Sequence, residues 1–275
     1  MATLPNPLPR LSTDPSGRSL GLQLPPGRLV DATDDGPWHE PLLWHAEKPA
    51  APGTWKALGT PGARVGLLPV LVDLGACRSG PEDWGLLPGE PSYPGDHDAE
   101  VVLGEYWEEE TAELADGAEI APFGDEWPGL APAGQLAADP ETRAAQVADA
   151  LESGPGMLIE EAHLALVPAR RSADIPAAIG WTGPVNYESD VARMCAVLRS
   201  WEDRFGIRVV ALGLDALVVS VAAPPTTQEA AEAVAAEHFA LCPDNIVHGE
   251  YDDAESLRAY AKSLIGEPLW TFWWD

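Results

Sequence analysis

The sequence predicts an α+β fold with a mainly antiparallel sheet, and three observations carry this prediction. Two β-branched runs, Ile207 to Leu212 and Ala216 to Ala222, are separated by only three residues, which is typical of a tight antiparallel hairpin at about 207–222. Four of the last six residues are aromatic, which indicates a strand in the core. The C-terminal half shows the order β-α-α-β-β-α-α-β, which favours helices packed on one face of the sheet.

The aromatic ending is expected to be the last strand of this sheet. If Leu269 to Trp274 is extended, Trp270, Phe272 and Trp274 share one face and Trp273 lies on the other. Chain termini are poorly ordered unless packing holds them, and several indole rings are a large apolar area to leave in water. We therefore expect the first three rings to pack beneath the helices.

The remaining elements follow from periodicity, capping and turn residues. In the C-terminal half we expect a strand at Leu158 to Val167, a short helix at Asp174 to Ile179, a helix at Ser189 to Phe205, and two helices that begin at the capping boxes Thr226–Glu229 and Asp252–Glu255. In the N-terminal half we expect strands at Leu20 to Leu24, Leu42 to His45, Val65 to Leu74 and Val101 to Trp107, and a helix at Glu141 to Leu151.

Charge and composition divide the chain near residue 154. Residues 1–154 are rich in Pro and Gly and carry 26 acidic and 8 basic side chains, whereas residues 155–275 carry 18 and 8 and contain the clearer α+β pattern. We expect an acidic, partly strand-forming N-terminal region followed by an α+β domain. A net charge of −28 disfavours binding to nucleic acid or to anionic membrane surfaces.

The acidic residues concentrate between Arg78 and Arg143, a stretch without Lys or Arg. Glu108, Glu109, Glu110 and Glu113 form its densest group and are a candidate docking face for a basic protein partner. Increased solubility is the simpler interpretation of the same charges.

The sequence contains no motif that identifies an enzyme class, a cofactor or a metal site. Phosphate-binding glycine patterns, the nucleophile elbow and the zinc-protease helix motif are missing. Three dispersed cysteines fit neither a disulfide framework nor a zinc site. We see no signal peptide and no transmembrane segment, so we expect a cytoplasmic protein. Cys242, at a helix end and one turn after His238, is expected to be relatively exposed and is a possible nucleophile with His238 as its base, although chance proximity to a satisfied, partly buried histidine is the simpler explanation.

Two groups of residues are candidates for a ligand pocket. Glu160 and Glu161 lie in an apolar strand, where one carboxylate should face inward and find a cation, with Arg170, Arg171 and Arg208 as candidate partners. Trp181, Asn186 and Tyr187 belong to an aromatic loop that would either wall a pocket or cover the end of the sheet.

Five ordered segments of the C-terminal half resemble a known bacterial family. The segments LVPARRSADIPAAIGWTGPVNY, VLRSWEDRFG, VVALGLDALVVSVAAPP, AEHFALCPDNI and LWTFWWD are similar to domain of unknown function 4253, over roughly Pro155 to Asp275. The resemblance implies an α+β domain and brings no established activity and no catalytic residues.

These observations favour a non-enzymatic interaction module, such as an immunity-like or regulatory binder of a basic partner. An enzyme or small-ligand binder with a pocket near Trp181 to Tyr187 is the first alternative. A structural component of an assembly is the second, and the oligomeric state stays open.

Overall fold

The structure is a computed structural model that describes residues 5–74, 80–114, 117–151, 159, 161–247 and 256–274. Its strands are β1 (Gly27–Val30), β2 (Ala32–Thr33), β3 (Gly36–Pro37), β4 (Leu43–Ala46), β5 (Leu67–Asp73), β6 (Ala162–Pro168), β7 (Arg208–Leu212), β8 (Ala216–Ser220) and β9 (Leu269–Trp273). Its helices are α1 (Thr54–Arg64), α2 (Ala99–Glu113), α3 (Pro140–Leu151), α4 (Ile175–Ile179), α5 (Val191–Phe205), α6 (Gln228–Leu241), α7 (Asp244–Val247) and α8 (Ser256–Leu264).

Seven strands form one mixed sheet in the order β1-β4-β6-β5-β7-β8-β9, and β2 pairs with β3 in a separate small ribbon. Neighbours in the large sheet are antiparallel, except that β5 and β7 run parallel, with Leu71 opposite Ala211. The predicted hairpin is formed by β7 and β8. The predicted α+β class with a mainly antiparallel sheet is thus confirmed.

The sheet combines strands from both sides of residue 154. β5 lies between β6 and β7 and pairs with β6 over its whole length, from Leu67 opposite Pro168 to Asp73 opposite Ala162. β1 and β4 extend the sheet on the far side of β6. The division at residue 154 stays a prediction about composition, because the strands of the acidic region and of the C-terminal domain share one hydrogen-bonded sheet.

Helices cover both faces of the sheet, so the expectation of helices on one face was wrong. Successive side chains of a strand point to opposite faces: Val70 and Val72 join the core beneath α2, α5, α6 and α8, whereas Leu71 joins the core beneath α1 and α3. The second layer comes from the N-terminal half, where no local pattern indicates which face a helix will cover.

The segment Val101 to Trp107 is helical, which corrects the predicted strand. The carboxylate of Asp98 accepts hydrogen bonds from the backbone N–H groups of Glu100 (2.9 Å) and Val101 (3.3 Å) and so caps the start of α2. The buried side chains of α2 then recur at helical spacing, and they are Val102, Leu103, Tyr106 and Trp107. This run resembles a strand in composition, but it packs against helices instead of pairing with a strand.

Smaller corrections concern element ends. Leu20 to Leu24 does not form a strand, β6 begins at Ala162, and the residue that caps α6 is Thr227, whose hydroxyl accepts from the Ala230 N–H. Asp252 and Glu255 lie outside the described residues.

The C-terminal strand β9 lies at the edge of the sheet, with one face buried in an aromatic cluster. Trp270, Phe272 and Trp274 are 1%, 0% and 3% exposed, and the Phe272 ring stacks on Trp201 of α5 at 5.4 Å between ring centroids. Trp273 points to the other face and is half-buried. The predicted position of the three rings beneath the helices is confirmed, although the strand is at an edge and not interior.

The two faces of β9 give a test of this packing. We expect Phe272→Ala to lower the free energy of unfolding by about 3–5 kcal/mol, because it opens a cavity in the core. Trp273→Ala, on the half-buried face of the same strand, is the control and should cost much less. Urea denaturation measures both values, and equal losses would contradict the assignment of the faces.

Candidate functional site

The solvent side of α2 carries three carboxylates that form an acidic face, which we define as Glu105, Glu108 and Glu109. All three side chains are exposed, and a helical period of 3.6 residues places these positions on one side of the helix. The opposite side of α2 packs on α5 and α6. The acidic face is thus held on a helix that is anchored in the core.

The predicted group Glu108, Glu109, Glu110 and Glu113 is divided by the helix. Glu108 and Glu109 point to solvent, whereas Glu110 is half-buried and lies close enough to Tyr187 to raise the pKa of that phenol. The side chain of Glu113 lies outside the described residues. The division arises because consecutive positions of a helix are about 100° apart, whereas the predicted strand ended at Trp107 and left these residues outside any element.

The acidic face is electrostatically unfavourable for the helix that carries it. Glu105 is followed by carboxylates three and four residues later, and like charges at this spacing destabilise a helix. The last turn of α2 contains no basic residue, although the partial negative charge of a helix C-terminus favours cations there. Arg193 Nη2 contacts Glu105 Oε2 at 2.9 Å, and no described basic side chain forms an ion pair with Glu108 or Glu109.

The aromatic loop that contains Trp181, Asn186 and Tyr187 packs over the end of the sheet and leaves little space for a ligand. Trp181 is 2% exposed, its Nε1 donates to the Gly213 carbonyl (2.9 Å), and its ring contacts Trp274. The cavity beside this loop measures about 20 Å³, enough for roughly one water molecule. Asn186 is exposed, so it does not line an enclosed cavity with Trp181.

Tyr187 connects the loop to the helix of the acidic face. Its hydroxyl donates to the Ala240 carbonyl of α6 (2.5 Å), and its ring meets Tyr106 of α2 at 5.4 Å. Burial, followed by the charge of Glu110, raises the pKa of Tyr187. Tyr106 in turn donates to Glu188 Oε2 (2.6 Å). Two predicted site residues, Tyr187 and Glu110, are therefore neighbours. Tyr187 contacts both α2 and α6 and so links the loop to these helices.

Glu161 has a different partner from the arginines that we expected. Its Oε1 lies 3.1 Å from Nε2 of His163, which is two residues later in β6, and the Glu161 side chain is 58% exposed. Arg171 pairs with Asp203 and Arg208 with Glu141. Glu160 lies outside the described residues.

A pair of buried histidines near this strand was missed by the sequence analysis. His45 and His163 are 1% and 2% exposed, with ring centroids 6.3 Å apart. His45 Nε2 accepts from Arg28 Nε (2.8 Å) and its Nδ1 faces the Ala46 carbonyl (3.0 Å), so both ring nitrogens are occupied. Burial lowers the pKa of His45, which fits a neutral ring. No local signal links histidines so far apart in the chain.

The described residues contain no group of three or more His, Cys, Asp or Glu side chains placed to hold a metal ion. Of the polar side chains just before α2, Asp98 caps the helix and His97 Nε2 lies 2.6 Å from Ser92 Oγ. Within the same residues, no helix has the length and apolar character needed to cross a membrane.

Cys242 and His238 do not form a nucleophile–base pair. The Cys242 thiol donates to the Trp273 carbonyl (3.0 Å), and burial raises its pKa to about 12. His238 Nδ1 faces the Tyr260 hydroxyl at 2.9 Å, and burial lowers its pKa to about 3. A thiol with a raised pKa is a poor nucleophile near neutral pH. Both side chains are buried, so the expectation that Cys242 is relatively exposed was wrong.

The C-terminal part of the chain matches a known family. Residues 163–275 match the model of a domain of unknown function (DUF4253), which confirms the resemblance found in the sequence. The match begins inside β6 and includes β7, β8 and β9. Searches of curated proteins and of solved structures returned no match.

Burial of neutral His238 predicts a pH-dependent contribution to stability. Its folded pKa of about 3 lies below the unfolded value, which is about 6.5. The unfolded state therefore gains a proton that the folded state does not, and stability is lost as the pH falls below about 6.5. His238→Phe should flatten the decline between about pH 6 and pH 4 by up to about 1.4 kcal/mol per pH unit.

Urea denaturation across this pH range measures the effect. Tyr260→Phe is the control, because it keeps the buried imidazole and should keep the slope of the wild type. A His238→Phe slope equal to that of the wild type would contradict the prediction.

The unfavourable charges of α2 predict a stabilising substitution. Glu109→Lys should raise the free energy of unfolding by about 0.5–1 kcal/mol at low salt, because it replaces the repulsion between Glu105 and Glu109 by an attractive pair. Glu109→Gln should give a smaller gain. Urea denaturation at low and high salt tests this, and a loss of stability in Glu109→Lys would show that the helix does not bear the inferred repulsion.

Proposed function

We propose that the protein is a non-enzymatic interaction module that acts in the cytoplasm and binds a basic protein partner through the acidic face of α2. The observation that carries the proposal is the position of Glu108 and Glu109, which are exposed next to Glu105 and form no ion pair with the described residues. A cationic partner would relieve the repulsion that these carboxylates create.

The position of the charges supports binding more strongly than their number does. Carboxylates that only increase solubility can lie anywhere on a surface, whereas carboxylates three and four residues apart on one helix destabilise it. Natural proteins accept such local costs mainly at functional sites. The rigid support of α2 by α5 and α6 would also limit the conformational entropy that is lost on binding.

The same charges define the kind of partner. A negative surface attracts a positive one over a distance set by the salt concentration, which accelerates association and excludes acidic competitors. Nucleic acid, with its phosphate backbone, would be repelled. The partner is therefore expected to be a protein with a cluster of Lys or Arg side chains.

The test compares two doubly substituted variants with equal charge. Glu108→Gln with Glu109→Gln removes two carboxylates from the acidic face, and Glu47→Gln with Glu229→Gln removes two exposed carboxylates elsewhere. Each variant and the wild type are used for cross-linked affinity capture at about 50 mM and about 500 mM salt, between which the screening length falls severalfold. Partners are identified by mass spectrometry and their affinities measured with purified protein.

The expected partner is basic, is retained better at low salt and binds the acidic-face variant about tenfold more weakly, which corresponds to about 1.4 kcal/mol. The control variant should bind like the wild type. A partner that binds both variants equally, or a partner that is itself acidic, would refute docking at this face.

A further inference from the structure

A cleft separate from the acidic face lies between the loop that precedes α2, the end of β6 and helix α4. Its volume is about 320 Å³, within the range of about 300–1,000 Å³ that small-molecule sites occupy. Proline, alanine and glycine make up eight of its thirteen lining residues. These residue types lose almost no side-chain entropy when a ligand packs on them, so the apolar walls of the cleft are already formed before binding.

One wall of the cleft is an aromatic ring that is held in place from behind. The Arg199 guanidinium lies 5.2 Å from the centre of the Tyr93 ring, and Arg199 is itself fixed by a bidentate pair with Asp174, with Nε–Oδ1 and Nη2–Oδ2 distances of 2.5 and 2.9 Å. A Cβ atom at Gly95 would overlap the edge of the Tyr93 ring, so the backbone also approaches it closely.

The same ring is open on the side of the cleft. Tyr93 is 40% exposed although its ring is held by Arg199 and by the backbone at Gly95. A large aromatic side chain that is both fixed and exposed offers a flat surface on which a second ring can pack, in an offset-stacked or an edge-to-face arrangement. The open part of the Tyr93 ring is therefore the feature of the cleft that is most specific for one kind of ligand.

The charged side chains of the cleft are already engaged within the protein. Three of them line it, namely Arg170, Asp174 and Arg199. Asp174 and Arg199 pair with each other, and Arg170 has an interaction partner of its own. A charged ligand would therefore lose its hydration without gaining a free counter-ion, and an anion would also be repelled by the net charge of −28. These contacts favour a ligand without charge.

We propose that this cleft binds a small uncharged aromatic molecule. The ring of the ligand packs on the open part of the Tyr93 ring, and its other surfaces lie against the apolar wall that includes Pro94 and Pro168. The pair of Arg199 with Asp174 holds Tyr93 in position before the ligand arrives, which reduces the entropy cost of binding.

Two properties of the ligand are recognised separately. A saturated ring of the same size would bury a similar apolar area but would lose the interaction between two rings, which corresponds to an affinity difference of about three- to tenfold. A carboxylate on the same aromatic body would add a charge for which the cleft has no free partner. The ligand is thus selected for an aromatic ring and for neutrality.

Binding is measured by fluorine NMR with para-fluorobenzyl alcohol as the probe and the full chain as the protein. We expect saturable binding with a Kd of about 1 mM. Benzyl alcohol should displace the probe, and cyclohexylmethanol, its saturated counterpart, should do so about three- to tenfold more weakly. Phenylacetamide and phenylacetate test the role of charge, and the carboxylate should compete at least about threefold more weakly than the amide.

Variants assign the binding to the cleft. Tyr93→Leu should weaken binding of the probe about three- to tenfold, whereas Tyr93→Phe keeps the ring and should bind like the wild type. Ala178→Phe fills the cleft from α4 and should abolish binding. Ala63→Phe, which adds the same side chain at an exposed position of α1, is its control and should bind like the wild type. Circular dichroism and urea denaturation establish that each variant is folded.

Several results would overturn the proposal. Equal displacement by cyclohexylmethanol and benzyl alcohol would show that the cleft does not recognise an aromatic ring, and so would unchanged affinity in folded Tyr93→Leu. Stronger competition by phenylacetate than by phenylacetamide would show that the cleft prefers an anion. Unchanged binding in folded Ala178→Phe would place the probe elsewhere on the protein, and no saturable binding of the probe would show that the cleft is not a site for such molecules.

Discussion

The position of β5 is the constraint on which the rest of the structure depends. The matched C-terminal domain supplies β6, β7, β8 and β9, but β6 does not pair with β7, because β5 lies between them. One edge of β5 pairs antiparallel with β6, and the other pairs parallel with β7 at Leu71 and Val72. Its central residues are fully buried on both faces. A strand from the N-terminal half thus makes the sheet continuous between β6 and β7. Its two faces pack beneath the helices on the two sides of the sheet.

A buried ion pair extends this coupling to the segment that links α2 and α3. Glu237 of α6 is fully buried and accepts hydrogen bonds from both Nη atoms of Arg204, from Trp201 Nε1 and from the Ala131 N–H. Burying a carboxylate is costly unless hydrogen bonds and an opposite charge replace water, and here four donors do so. Because one of them is a backbone group, the network fixes the linking segment on α5 and α6. The acidic region is therefore joined to the C-terminal domain by a strand and by a polar network.

Structural features that depend on residues close together in the chain were predicted correctly, whereas contacts between residues far apart in the chain were not. The hairpin around Gly213 and the alternation of Trp270, Phe272 and Trp274 are set by residues a few positions apart. Val101 to Trp107 was predicted as a strand although Asp98, a good helix cap, precedes it, and the structure places the segment in α2. The pairing of β5 with β7 and the meeting of His45 with His163 join residues more than a hundred positions apart, which no local pattern encodes. The division between Glu108 and Glu110 is set by the helix, and it could not be predicted from a strand that ended at Trp107.

The acidic face is poorly neutralised because most arginines that could pair with it are engaged elsewhere. Most arginines of the C-terminal domain are engaged by carboxylates of that domain, as in the pairs Arg171–Asp203 and Arg199–Asp174. Arg193 divides its contacts between Glu188 of the domain and Glu105 of α2, and among the described residues this is the only ion pair that the acidic face forms. The stretch from Arg78 to Arg143 has no basic residue of its own. Folding thus pairs charges where the domain packs and leaves Glu108 and Glu109 without an ion pair among the described residues, which is the feature on which the proposed docking of a basic partner rests.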